Sequence, residues 1–81
     1  MSQEISRDQC RAGRALLDWS QAKLAEAAKV ARQTVVDFER GARTPYPNNL
    51  EAIRAALEQA GIEFIPEDGG GAGVRLRRRK R

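Results

Sequence analysis

Residues 20 to 41 run Ser-Gln-Ala-Lys-Leu-Ala-Glu-Ala-Ala-Lys-Val-Ala-Arg-Gln-Thr-Val-Val-Asp-Phe-Glu-Arg-Gly, and no other stretch constrains the fold as strongly. The pattern reads as two short helices joined by a tight turn. Leu24, Ala25 and Ala28 recur at helical spacing on one face of the first segment. Val35 and Phe38 do the same in the second, and Val30 falls in the connection, where it can plug the joint. The small alanines allow the two helices a close approach. With Val35 and Phe38 turned inward, Arg32, Gln33, Val36, Asp37 and Arg40 turn outward, the first two on the opening turn of the second helix.

Outward polar residues on the opening turn of such a helix are the ones a helix-turn-helix sets into a DNA major groove. The segment resembles the Xre-type family, the Cro and lambda-repressor-like domains, whose signature runs Ser-Gln-x-x-Leu-Ala, then Val-x-x-x-Thr-Val/Ile, then Glu-x-Gly. Ser20, Gln21, Leu24, Ala25, Val30, Thr34, Val35, Glu39 and Gly41 match it in place, and the resemblance covers about residues 6–60. It implies a mainly α, four-helix domain that binds a double-stranded DNA operator and regulates transcription, most often as a repressor. Two positions depart from the family. Lys29 stands where a left-handed turn favours Gly, at a cost of about 1 kcal/mol, and Ala31 stands where Ser or Thr would cap the second helix, giving up about 1 kcal/mol. The resemblance also puts Arg14 and Glu39 where related repressors have an ion pair tying helix 1 to the end of helix 3. Arg14 lies between Cys10 and Leu17 on the inward side of its helix, where a charge needs a partner.

The outward residues suggest roles by their chemistry. Arg32 offers the bidentate donors that guanine O6 and N7 accept, Gln33 matches adenine N6 and N7, and Val36 fits a thymine methyl. Asp37 has two roles open to it, accepting from cytosine N4 or orienting Arg40. Gln21, Arg40, Arg43 and Thr44 are placed for phosphates, which fix register without reading sequence. Thr34 either joins those contacts or is half-buried.

Other chemistries are excluded by inventory. The 81 residues make one small domain with little room for a substrate cavity beside a core. Histidine is absent and the single Cys10 can form neither an intrachain disulfide nor a cysteine zinc site. Cys10 reads instead as a small buried apolar residue. The glycine run from Pro66 to Gly73 lacks the Gly-Lys-Ser/Thr ending of a phosphate loop and reads as a hairpin loop. The expectation is a non-enzymatic protein without cofactor or metal. No apolar run has the length of a membrane span and the first residues are polar, so no membrane contact and a cytoplasmic location are expected.

Around the motif the chain is well punctuated. Ser6 with Gln9 forms a capping box and Ile5 with Cys10 a hydrophobic staple, giving a first helix from about Arg7 to Asp18. The next helix follows from Ser20. Arg43 to Pro47 reads as a loop broken by two prolines, and Asn48 with Glu51 as the cap of a fourth helix that ends before Gly61. Leu50, Ile53 and Leu57 give that helix its apolar stripe, and Trp19 caps the core. After Gly61 the period becomes two, and Ile62–Ile65 and Val74–Arg77 read as short strands. Residues 1–61 thus form the DNA-binding domain, 62–77 a strand pair and 78–81 a basic tail.

Ile62 and Phe64 share one face of the first strand and Val74 and Leu76 one face of the second, and an isolated hairpin is marginal in water, so these side chains need a further apolar surface. It is either their own helical domain, where Leu16 is left over, or the strands of a second copy. A homodimer built through these four residues suits a regulator of an inverted repeat, and is the arrangement expected. The alternative reading is an antitoxin or adaptor whose main role is holding a partner protein, such as a toxin, with DNA binding for autoregulation. The charge is uneven: residues 1–74 hold nine Lys/Arg against eleven Asp/Glu, and residues 75–81 six Lys/Arg and no acid. That tail is either a solubility appendage or, beside a helix-turn-helix, a mobile arm that neutralises phosphates.

Overall fold

The computed structural model describes residues 4–77. Its elements run α1 (Arg7–Leu17), α2 (Gln21–Ala28), α3 (Arg32–Glu39), α4 (Pro47–Gln59), β1 (Ile62–Ile65) and β2 (Gly73–Leu76). α1 opens on the capping box: the Ser6 hydroxyl accepts from the Gln9 amide at 3.0 Å, and the Gln9 side chain accepts from the Ser6 amide at 2.9 Å. The staple partners Ile5 and Cys10 are both buried in the core. Asp18 ends α1 in the left-handed region, and Ser20 caps α2 by accepting from the Lys23 amide at 2.9 Å.

The motif turn has the conformation the sequence implied. Lys29 takes φ 60° and ψ 43°, closing α2 with its amide on the Ala25 and Glu26 carbonyls. Ala31 begins α3 with no side-chain cap. Val30 packs between them against the core.

The start of α4 differs from expectation. The helix begins at Pro47, with Tyr46 in the capping position and no side-chain cap, so Asn48 and Glu51 form no capping box. Proline is disruptive inside a helix, but at the first helical position its missing amide costs no bond and its fixed φ suits the turn.

The core gathers Ile5, Cys10, Leu24, Ala25, Ala28, Val35, Phe38, Leu50, Ile53, Ala56, Leu57 and Ile62, with Leu17, Trp19, Phe64 and Val74 packed on its margin. β1 and β2 pair antiparallel within the chain, Ile62 opposite Leu76 and Phe64 opposite Val74. This hairpin rests on α1 and α4 of its own domain. Gln9, itself buried, stitches it down, donating from Nε2 to the carbonyls of Gly73 at 3.0 Å and Ile65 at 3.3 Å.

The four residues expected at a dimer interface sit as follows within the single chain. Ile62 is 1% exposed and belongs to the core, Phe64 and Val74 are half-buried against that core, and of the four proposed interface residues only Leu76, at 46%, is exposed. Alternation in a strand fixes which side chains share a face, not which surface that face meets. Here α1 and α4 take it: Ile62 packs over the buried Gly13 of α1 and beside Leu57 of α4.

Candidate nucleic-acid interface

α3 buries Val35, Phe38 and Glu39 and presents the rest of its surface outward. Arg32 and Gln33 are exposed on its opening turn, while Thr34, Val36 and Asp37 are half-buried. Gln33, Thr34 and Asp37 form one wall of an open cleft of about 400 Å³, and Arg43, Thr44, Pro45, Tyr46 and Asn49 complete it. Residues expected to read bases and residues expected to hold phosphates thus meet across one groove. Arg32, Val36, Arg40 and Gln21 lie outside it.

The side chains of this face are tied unequally. Asp37 Oδ1 accepts from Gln33 Nε2 at 2.9 Å and from Arg40 Nε and Nη2 at 3.2 and 3.1 Å. These bonds, that of Gln33 first, hold the Asp37 carboxyl below the usual carboxylate range. Arg40 is therefore engaged by Asp37 rather than standing free. The guanidinium groups of Arg32 and Arg43 have no hydrogen bond or ion pair with any described residue, whereas those of Arg11, Arg14, Arg40 and Arg75 each have a carboxylate.

Behind the face, Glu39 fixes the end of α3 to α1 and α2. Arg14 grips it with two bonds, Nε to Oε2 at 2.8 Å and Nη2 to Oε1 at 2.7 Å, and spends a third donor on the Trp19 carbonyl at 2.9 Å. Gln21 Nε2 donates to Oε1 at 3.0 Å and the Cys10 thiol to Oε2 at 3.1 Å. Glu39 is 2% exposed. Burial alone pushes its carboxyl up, but the bonds from Arg14, Cys10 and Gln21 and the charge of Arg14 outweigh it and hold the group below its ordinary range. Cys10 shifts the other way. Burial first, then the bond to Glu39 and its charge, keep the thiol protonated and donating. Gln21, read from sequence as a phosphate contact, thus has one amide hydrogen committed to Glu39 and one left.

Three residues near this face escaped the sequence reading. Tyr46 is 76% exposed on the rim of the cleft, and an aromatic set between two prolines in an otherwise polar loop was its only signal. Asn49 joins it from the first turn of α4. Arg7 stands over Gly41, where a Cβ would run into its guanidinium, and lines a second cleft with Arg43 and Thr44. Gly41 itself has φ 78°, a left-handed value that suits glycine at the helix exit.

A helix-turn-helix family model matches residues 11–62, well over half of the chain's 81. The chain belongs to the Xre-type, lambda-repressor-like helix-turn-helix family. The matched span runs from Arg11 within α1 to the first residue of β1, so it includes the motif, the α3 exit loop and most of the core that positions them. As a member of this family the helix-turn-helix protein is a DNA-binding regulator. None of the curated proteins matches it. Among the described residues no helix is long and apolar enough to cross a membrane.

Proposed function

We propose that this helix-turn-helix protein is a sequence-specific transcriptional repressor that binds, as a homodimer, an inverted repeat in double-stranded DNA. The observation that carries it is the outer face of α3, where Arg32 stands exposed and unpaired on the opening turn beside Gln33, next to a groove edged by the unpaired Arg43 and by Thr44. A guanidinium without a carboxylate, where five of the nine described arginines have one, is available to a guanine edge or a phosphate. In this reading Arg32, Gln33 and Val36 contact bases, and Gln21, Thr34, Arg40, Arg43 and Thr44 position the backbone. Arg40 exchanges its bond to Asp37 for a phosphate when DNA arrives. Arg75 and Arg77 begin the basic arm; Arg78, Arg79, Lys80 and Arg81 lie outside the described residues.

In vitro selection from random duplexes at near-physiological salt tests the whole reading. A two-fold dimer should select half-sites centred about 10 to 11 base pairs apart, or one turn more. Arg32→Ala and Gln33→Ala should each cost about 1–3 kcal/mol on the selected site and much less on random DNA. Selection of no motif, or parental binding by both variants, would remove α3 as the reader.

A further inference from the structure

We infer that Asp37 is a positioning residue that sets which end of the Gln33 carboxamide faces the bases, and so decides what Gln33 reads. This rests on the proposal that α3 enters the major groove. A free glutamine presents either its oxygen or its NH2 group after a half-turn about its last torsion, at little cost. Asp37 removes that freedom. A carboxylate only accepts, so the bond of 2.9 Å from Gln33 Nε2 to Asp37 Oδ1 pins the NH2 end of the amide to the helix. One N–H and the Oε1 acceptor of Gln33 are left, and these are the groups that adenine N7 and N6 require as a pair.

Asp37 is itself held from both sides. Its main-chain carbonyl accepts from the amides of Ala42 at 2.9 Å and Arg43 at 3.3 Å in the exit loop of α3. Its Oδ1 also takes two bonds from Arg40, so the oxygen that orients Gln33 is braced by a cation. Asp37 is four residues on from Gln33, one helical turn, and both line the same cleft. When Arg40 moves to a phosphate, Gln33 remains the donor on Asp37.

Asp37 therefore acts on choice of base rather than on strength of binding. Its negative charge opposes phosphates and occupies Arg40, so its removal raises affinity for random DNA while flattening one position of the operator. A variant that merely unfolded would lose both.

The test uses the full chain and measures base preference at each operator position, with random-duplex affinity alongside, for the parent, Gln33→Ala, Asp37→Ala and the double variant. Gln33→Ala first identifies its position by flattening the preference there. Asp37→Ala is expected to lower the adenine preference at that same position by about 10-fold, within the range a bidentate base contact supplies. Random-duplex binding should stay equal or rise, and the double variant should be no flatter than Gln33→Ala alone. Asp37→Asn keeps an acceptor for the amide and should retain more of the adenine preference than Asp37→Ala. If Gln33→Ala flattens a position that Asp37→Ala leaves sharp, or if the two effects add, the inference is overturned while α3 remains the reader. If Gln33→Ala flattens no position, both the inference and the base-reading role of Gln33 fail.

Discussion

Glu39 receives bonds from three side chains on two helices, and removing it strands them: Arg14 loses its carboxylate with only 19% of its side chain exposed, and Cys10 and Gln21 lose an acceptor. Breaking a buried pair by deleting one partner costs about 3–5 kcal/mol, a large share of what holds so small a domain together. Glu39→Ala is therefore expected to lower the unfolding free energy by about that amount in denaturant titration, with part of it recovered when Arg14 is made apolar as well. A loss under about 1 kcal/mol would mean that the pair behaves as an exposed one. The same carboxylate sets an acid dependence. Because its folded value is depressed, it adds stability above the unfolded value of about 4.3, and that contribution is lost as pH falls through the folded value. The denaturant midpoint should hold level down to about pH 5 and decline below about 4, with a smaller decline in Glu39→Gln. The pairing of Arg14 with Glu39 was legible because a charge on the inward face of a helix needs a partner. The parts of Gln21 and Cys10 in it were not, since nothing in a linear pattern says which side chains converge behind a helix end.

At the scale of single elements, two positions of the helices sit below the best available residue. Gly13 lies within α1, where glycine costs about 0.5–1 kcal/mol relative to alanine. A Cβ there meets Leu57 at 3.5 Å and Ile62 at 3.6 Å, ordinary contact distances. Gly13→Ala should accordingly raise stability by about 0.5–1 kcal/mol, and a loss of stability would mean that the hairpin tolerates no further volume against α1. Ala31→Ser supplies the acceptor that the opening amides of α3 lack and should add about 1 kcal/mol, read as a raised thermal midpoint without altered DNA preference. The first two helices could be placed from the sequence because caps and period agree there: Ser6 and Ser20 open them, and Asp18 and Lys29 close them in the left-handed region; the third, uncapped at Ala31, was placed by the inward spacing of Val35 and Phe38 and the match to the motif. The fourth was misplaced at its start because Pro47 looks the same whether it breaks a helix or begins one. The deciding fact is whether its absent amide had a partner to lose, and that depends on where Tyr46 turns the chain.

Over the whole molecule, the hairpin is part of the core rather than an appendage to it. Truncation after Gly61 takes away Ile62, and with it the acceptors of Gln9. Loss of a buried aliphatic side chain alone costs about 2–5 kcal/mol, so the truncated chain should lose its cooperative unfolding transition in circular dichroism. A truncated chain that remained folded would restore the picture of an independent helical domain. Removal of residues 77–81 should act differently, leaving the fold intact and flattening the dependence of log K on log salt by up to about 0.9 for each phosphate no longer neutralised. The strands were visible in the sequence through their alternation; their docking was not, because Gln9 reads fully as a cap and its second set of bonds spans the length of the fold. That span orders events during synthesis. Gln9 is translated 64 residues before Gly73, whose carbonyl it must hold, so the nascent helices wait on the ribosome with an open seam. A product cut short by premature termination never closes it, and if the truncated chain is unfolded as expected, protein quality control meets it as such and not as a competitor for the operator.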